Sequence, residues 1–433
     1  MKRQQPHART RALFVRSLVG AAVGLACIGA HAQLRPYYIT ASETISYDSN
    51  LFRTSNDEDS DMYSTTSLIL GVDQPIGRQR VFGSLGGHYT AYRDNNQLDG
   101  AGYDVGLGLD WEAASKLSGT ARVRFAETLP NFDNYGSQQG EDTKRNEEQS
   151  KSADFTVQYG GASILSLEGL ANYTKVDYSR NDFSNRERKS HMFGGGVRYR
   201  PGGPWTFGLT GRRTHGEYPQ ITSGTGETAL ADEYDRTDLD LIAGYVATGK
   251  SNFSMRLSKS NEDHERDEER DFDGWTGALS WRYRATGKLN LALGITRETG
   301  SGSSFYSGAA VTDPDVPPPT NPAVSYLTDS TRTDTISLNA DWAATGRIIV
   351  SAGLTYSRDH FDNSFLVEDG SDSSDSTGHS SSYSLSATYA ITRVWSASCG
   401  IAYERRSSDA QVDGGDYGYG ATTGHCTATL ALR

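Results

Sequence analysis

Long apolar runs are almost absent from this 433-residue chain. The one apolar stretch, "SLVGAAVGLACIGA" (17–30), is shorter than the roughly 20 residues a membrane-crossing helix needs. Helical spans are therefore excluded. Cysteine is scarce: three residues cannot build a disulfide-dense scaffold. Hydrophobic residues make up 36% of the chain, thin for large soluble cores. Basic residues are outnumbered 42 to 54 by acidic ones, which makes nucleic acid a poor partner. Catalytic signatures are missing too. His88, His191, His215, His264, His360, His379 and His425 are scattered, with none at metal-binding helical spacing. No phosphate-binding or dinucleotide fingerprint occurs, and "GSGSS" (300–304) reads as a flexible loop. No Ser–His pair of an outer-membrane lipase can be identified on the apolar parity. The expectation is no enzyme activity, no cofactor, no metal and no catalytic residue.

The chain opens on a targeting segment. Lys2, Arg3, Arg9, Arg11 and Arg16 form a basic n-region, the apolar core follows, and "AHA" (30–32) has the small-x-small form cut by signal peptidase. Residues 1–32 read as a cleaved signal peptide and 33–433 as the mature domain. A lipoprotein reading through Cys27 is disfavoured, because "GLAC" lacks the usual branched residue three places earlier. Processing removes five basic residues and no acid, so a chain of 433 residues and charge −12 becomes one of 401 residues and charge −17.

What the mature chain has in quantity is alternation. In "AGYDVGLGLDWEAASK" (101–116), Tyr103, Val105, Leu107, Leu109 and Trp111 share one parity, and glycine with acid fills the other. A strand sends alternate residues to opposite faces. Eighteen such runs can be read: 37–48, 63–74, 80–93, 101–112, 117–127, 152–160, 163–178, 189–200, 205–217, 234–247, 251–261, 273–284, 288–298, 331–343, 347–358, 380–390, 394–405 and 418–433. Most have about the ten residues a tilted strand needs to cross a bilayer. Every second connection is short, and "ATGK" or "ATGR" occurs at 247–250, 285–288 and 344–347. The others are long, polar and mostly acidic, among them 51–62 and the Pro-rich 299–330.

This pattern predicts an all-β fold: a transmembrane antiparallel up-and-down barrel of about 18 strands, with short periplasmic turns and long extracellular loops. Five tryptophans, Trp111, Trp205, Trp281, Trp342 and Trp395, flank short turns on the apolar parity. They read as an outward aromatic girdle at the periplasmic rim. The competing fold is a secreted soluble β-protein that buries its apolar face, for which more even loops and denser apolar residues are expected. The barrel reading places the protein in the outer membrane of a Gram-negative envelope, with lipid as its immediate partner.

On the inward parity stand Arg122, Arg124, Arg198, Arg212, Arg256, Arg282 and Arg284, together with Asp104, Asp110, Glu112, Asp154, Glu168, Asp238, Asp240 and Asp341. Acids are as numerous as arginines, which favours a wet lumen of mutually neutralising charge over an arginine track for an anionic solute. His264 lies in the acid-rich "EDHERDEERDFD" (262–273), where a solvated loop surface is favoured over weak cation binding. Cys399 and Cys426 lie symmetrically about the tip of the last hairpin and on its outward parity. Directly opposed residues approach to about disulfide range, so a bridge is predicted; the alternative is two free thiols.

The stretch "YYITASETISYDSNLFRTS" (37–55) resembles the EpsL-like exopolysaccharide-biosynthesis outer-membrane proteins, grouped with beta-barrel porins. In that family a Y-D-x-N-[LV]-[FY]-R stretch closes the first strand, and here it corresponds to Tyr47, Asp48, Asn50, Leu51, Phe52 and Arg53. The ending "ATLALR" departs from the terminal Phe or Trp common in such barrels. The resemblance implies a pore for a secreted polysaccharide, working with periplasmic export proteins. Two alternatives stand beside it: a general or solute-specific diffusion porin, and a surface structural or adhesive protein anchored by its barrel.

Overall fold

A computed structural model describes residues 36–432, apart from 115, 130–143, 162, 223–228, 267–269, 300–331, 368–369 and 409–417. The signal-peptide expectation and most of the Pro-rich 299–330 segment fall outside the described residues. Eighteen strands follow one another. The first six are β1 (Tyr37–Asp48), β2 (Asp61–Ile76), β3 (Gln79–Tyr92), β4 (Gly100–Ala113), β5 (Leu117–Thr128) and β6 (Glu148–Tyr159). Next come β7 (Leu165–Tyr178), β8 (Arg188–Tyr199), β9 (Trp205–Thr222), β10 (Ala229–Thr248), β11 (Ser251–His264) and β12 (Phe272–Arg284). The last six are β13 (Leu289–Glu298), β14 (Arg332–Ala343), β15 (Ile348–Val367), β16 (Gly370–Ala390), β17 (Trp395–Ser408) and β18 (Tyr419–Leu432). Each pairs antiparallel with its neighbours in sequence. β1 also pairs with β18, from Ile39↔Leu432 to Asp48↔Thr423, and closes the sheet into a barrel. Closure leaves no unpaired edge for lipid to meet.

The apolar parity faces outward. Leu107 (55% exposed), Leu241 (54%) and Leu385 (53%) stand free on the outer wall instead of packing against one another. A soluble fold would bury that face; here it forms the lipid-facing band of an outer-membrane β-barrel. Near the short-turn rim, rings line up on the outer wall. Trp205 lies 4.3 Å from Tyr245, Phe253 lies 5.8 Å from Trp281, and Trp281 lies 5.5 Å from Tyr283, centroid to centroid. Trp205, Trp342 and Trp395 are exposed, whereas Trp111 and Trp281 are half-covered by Phe155, Phe253 and Tyr283.

The recurring turn sequence has a physical reason. Thr248, Thr286, Thr345 and Thr392 occupy equivalent places in four short turns. Each side-chain oxygen accepts the backbone N–H two residues on, at 3.2 Å from Lys250, 3.1 Å from Lys288, 3.1 Å from Arg347 and 3.2 Å from Val394. Such hydroxyls pre-fold a tight turn. Thr286→Val is expected to remove about 1 kcal/mol from unfolding stability, read from a urea titration in detergent; an unchanged midpoint would count against this role.

Strand ends differ from the sequence expectation on the long-loop side. β9, β10, β15 and β16 run to 18, 20, 20 and 21 residues. Toward the long loops the outward parity already carries charge within the expected runs: Arg213 and His215 both lie 3.4 Å from Asp235. These segments project beyond the hydrocarbon, where the outer face meets water and apolar alternation is not required. Residues 262–264 likewise belong to β11, and 272–273 to β12.

Candidate functional site

The inner wall divides into two zones of opposite hydration. The first lies on β2–β6. Arg80 reaches Asp73 at 2.7 Å and Asp110 at 3.3 Å, Arg124 reaches Asp104 at 2.6 Å, and Arg78 stands 3.7 Å from Glu112. These side chains are 37–63% exposed inside the barrel, so water reaches them. Between them lies Phe82, with the guanidinium of Arg80 5.0 Å and that of Arg122 5.6 Å from its centroid. Phe82, Gly108 and Arg122 share one row across β3, β4 and β5. A Cβ on Gly108 would stand 2.2 Å from the Phe82 ring, so only glycine lets that ring lie across β4 toward Arg122. Arg282 and Arg284 are exposed on the inward parity of β12. In the strand order β12 stands nine places from β3, across an 18-strand ring.

The second zone, on the long-loop half of β9–β13, is dry. Asp232, Thr210, Asp240, Ser258 and Ser260 have no exposed surface, and Arg236 and Asp238 almost none. Arg212 donates to both oxygens of Asp240, at 2.7 and 3.0 Å, and lies 3.5 Å from Asp238. The Ser258 hydroxyl donates to Asp240 at 2.5 Å, and that of Ser260 to Asp238 at 2.6 Å. Arg236 donates to Asp238 at 2.9 Å, to Glu262 at 2.9 Å, and to Thr299. Arg256 donates to Ser258 at 2.7 Å and to Glu298. Farther round, Arg198 lies 2.5 Å from Glu168, which also accepts the Thr210 hydroxyl at 2.9 Å.

Two expectations are corrected here. The lumen is not uniformly wet: Arg212, Arg256, Asp238 and Asp240 are removed from water and bonded by neighbours on their own strand and on strands one and two away. His264 is not on a solvated loop. It ends β11 facing inward, with Nδ1 2.7 Å from Asp232 and Nε2 3.2 Å from Glu262. Ionised carboxylates accept and do not donate, so the doubly protonated ring is the form that satisfies both contacts. Arg80, Phe82, Arg236 and Glu262 are absent from the inward set expected from the sequence. Arg236 shares the parity of Asp238 and Asp240, so alternation alone could have found it.

A third feature sits at the extracellular mouth. Tyr47 faces outward, but Asp48, Asn50, Leu51, Phe52 and Arg53 are all buried. Asp48 accepts the Asn50 backbone N–H at 2.9 Å, and Arg53 donates to both Asp48 oxygens at 2.9 Å and to the Asn50 carbonyl. The Asn50 side chain accepts from the Thr54 N–H at 2.9 Å and donates to the Thr54 carbonyl at 2.8 Å and the Gly420 carbonyl at 3.1 Å. Arg53 has a left-handed backbone, φ 56°, which costs a side-chain-bearing residue about 1–2 kcal/mol; the ion pair holds it there. Burial opposes the Arg53 charge, but Asp48, Glu404 and Tyr419 outweigh it and raise the guanidinium pKa above its ordinary value. The knot directs Leu51 and Phe52 onto Leu98 of the β3–β4 loop and Phe183 of the β7–β8 loop, with Tyr92, Leu129 and Tyr178 alongside. The first, second and fourth long loops are thereby locked together over one side of the mouth.

On the outer wall, Cys399 and Cys426 face each other in register and are joined by a disulfide, with Cα atoms 4.1 Å apart.

No family model matches the chain, and no curated protein does. Among solved structures it is similar to OpdK of Pseudomonas aeruginosa, determined with vanillate (11% identity, 92% of this chain and 99% of that one, TM-score 0.45). It is also similar to OccAB3 of Acinetobacter baumannii (11%, 92% and 99%, TM-score 0.47) and to a mutant of the ferric enterobactin receptor PfeA of P. aeruginosa (10%, 92% and 81%, TM-score 0.45). At these identities neither solute nor site residues transfer to this chain.

Proposed function

We propose that this outer-membrane barrel is a passive diffusion pore for small polar solutes. The observation that carries this reading is the water-exposed, mixed-charge wall of β2–β6, enclosed by a barrel wide enough for an aqueous channel. Solutes would meet Arg80, Arg122 and Arg124 beside Asp104 and Asp110, with Arg282 and Arg284 exposed on β12, while Arg212, Arg236, Asp238 and Asp240 are buried. The test is single-channel recording with the purified mature chain in a planar bilayer. Discrete ohmic steps are expected. Arg122→Glu together with Arg124→Glu should move the reversal potential in a salt gradient toward cation preference. A folded, heat-modifiable barrel that gives no current would overturn the pore and favour the anchor reading.

Export of a secreted polysaccharide is the second reading, and the resemblance of residues 47–53 supports it. On that reading, deletion removes extracellular polymer and leaves small-solute uptake unchanged. Loss of uptake with normal polymer would favour the diffusion pore.

A further inference from the structure

We propose that the outward face of β6–β8, just above the apolar band, is a binding site for a phosphate-bearing lipid of the outer leaflet. Lys151 is directly opposite Lys175, and Lys175 directly opposite Lys189, so three ammonium groups form one cross-strand row. All three share the outward parity of Phe155, Tyr173 and Phe193, and all lie at the long-loop end of their strands. Like charges directly opposed on one face repel and destabilise a sheet. Elsewhere at this level basic residues meet acids: Arg213 lies 3.4 Å from Asp235 and Lys259 bonds Asp273, both diagonally, and Arg297 is directly opposite Asp334. Only β6–β8 puts cation beside cation among the described strands.

Two carboxylates ion-pair with the three lysines, and Glu187 acts on Lys175 from farther away. Asp177 is shared by Lys175 at 2.7 Å and Lys151 at 3.7 Å, and Glu217 lies 3.5 Å from Lys189. The lysine side chains remain 36–40% exposed, so each keeps N–H donors turned to the surroundings. An ammonium is a compact point charge suited to phosphate oxygens, and the row stands where lipid headgroups meet the protein.

A second observation concerns the lipid's apolar part. Next to the row, a groove of ≈ 530 Å³ runs along the outer wall, lined chiefly by Phe193, Gly195, Gly211, Arg213, Thr237 and Leu239. Its floor is the in-register pair Gly195↔Gly211, and a Cβ on Gly211 would meet nothing within 4 Å. Phe193, 68% exposed, forms one wall. The groove starts four residues below Lys189, about 13 Å along the strand. That spacing lets a phosphate sit on the lysines while an acyl chain lies over the glycines.

The test uses the full mature protein refolded in detergent, with binding followed by native mass spectrometry. Bis-phosphorylated lipid A, its dephosphorylated form and inorganic phosphate are the probes. Phosphorylated lipid A is expected to bind at least tenfold more tightly than the dephosphorylated form, and inorganic phosphate not at all at the same concentrations. Lys151→Gln/Lys175→Gln/Lys189→Gln should weaken it at least tenfold, Gly211→Leu several-fold, and Lys259→Gln not at all. Should the triple glutamine variant fail to fold, the corresponding triple arginine variant must retain binding. Equal affinity for both lipid forms, wild-type affinity in the glutamine variant, binding of phosphate alone, or no binding of any probe would each overturn the site.

Discussion

Arg236→Ala is expected to lower unfolding stability by about 3–5 kcal/mol, the cost of leaving buried charge uncompensated. Arg236 is 2% exposed and sits between Asp238 and Glu262, themselves almost wholly out of water. Removing the guanidinium leaves Asp238 to Arg212 at 3.5 Å and the Ser260 hydroxyl, and Glu262 to His264, in a dry wall that also holds Asp240 and Asp232. Arg124→Ala is the contrast. Its partner Asp104 lies at 2.6 Å, yet both side chains are over two-fifths exposed. That pair should contribute at most ~1 kcal/mol. Urea titration of both variants, followed by the heat-modifiable gel shift, separates the two zones. Equal losses would mean that water reaches both walls alike.

The second large effect is local. Arg53→Ala leaves Asp48 buried without its cation and frees the loop after β1 from the mouth. A lost buried pair of ~3 kcal/mol raises the open population by roughly a hundredfold. Faster proteolysis within 49–60 is expected, with exchange of the Leu51 amide, which donates to Asp59 at 2.7 Å, accelerated similarly. Single-channel conductance should rise as Leu51 and Phe52 leave Leu98 and Phe183. Arg53→Gly removes the same ion pair but relieves the left-handed backbone, so its loop should open less, by about 1 kcal/mol. Wild-type exchange in Arg53→Ala would dismiss the knot as the lock.

The family-like motif shows where reading a sequence stops short. Its residues signal a distinct unit at the end of β1, but not that Asp48 and Arg53 pair, nor that Phe52 reaches a loop beyond β7. Those partners are 46 and 131 residues downstream, at Leu98 and Phe183. His264 is a similar case. Its neighbours in "EDHERDEERDFD" are acids, which reads as solvated loop, and only the pairing Tyr234↔His264 brings Asp232 to its ring. The cysteines went the other way, because hairpin symmetry is local and two residues equidistant from one tip must meet.

The sequence by itself determined strand number, the outward face, the girdle and the alternation of short turns with long loops. All of these follow from period-two alternation and nearby turn chemistry, which neighbours along the chain dictate. Tertiary structure alone decided which inward charges are wet and which are dry, and how three loops lock over the mouth. Parity states which side of the wall a residue faces; its hydration depends on what residues from distant strands and loops place over it.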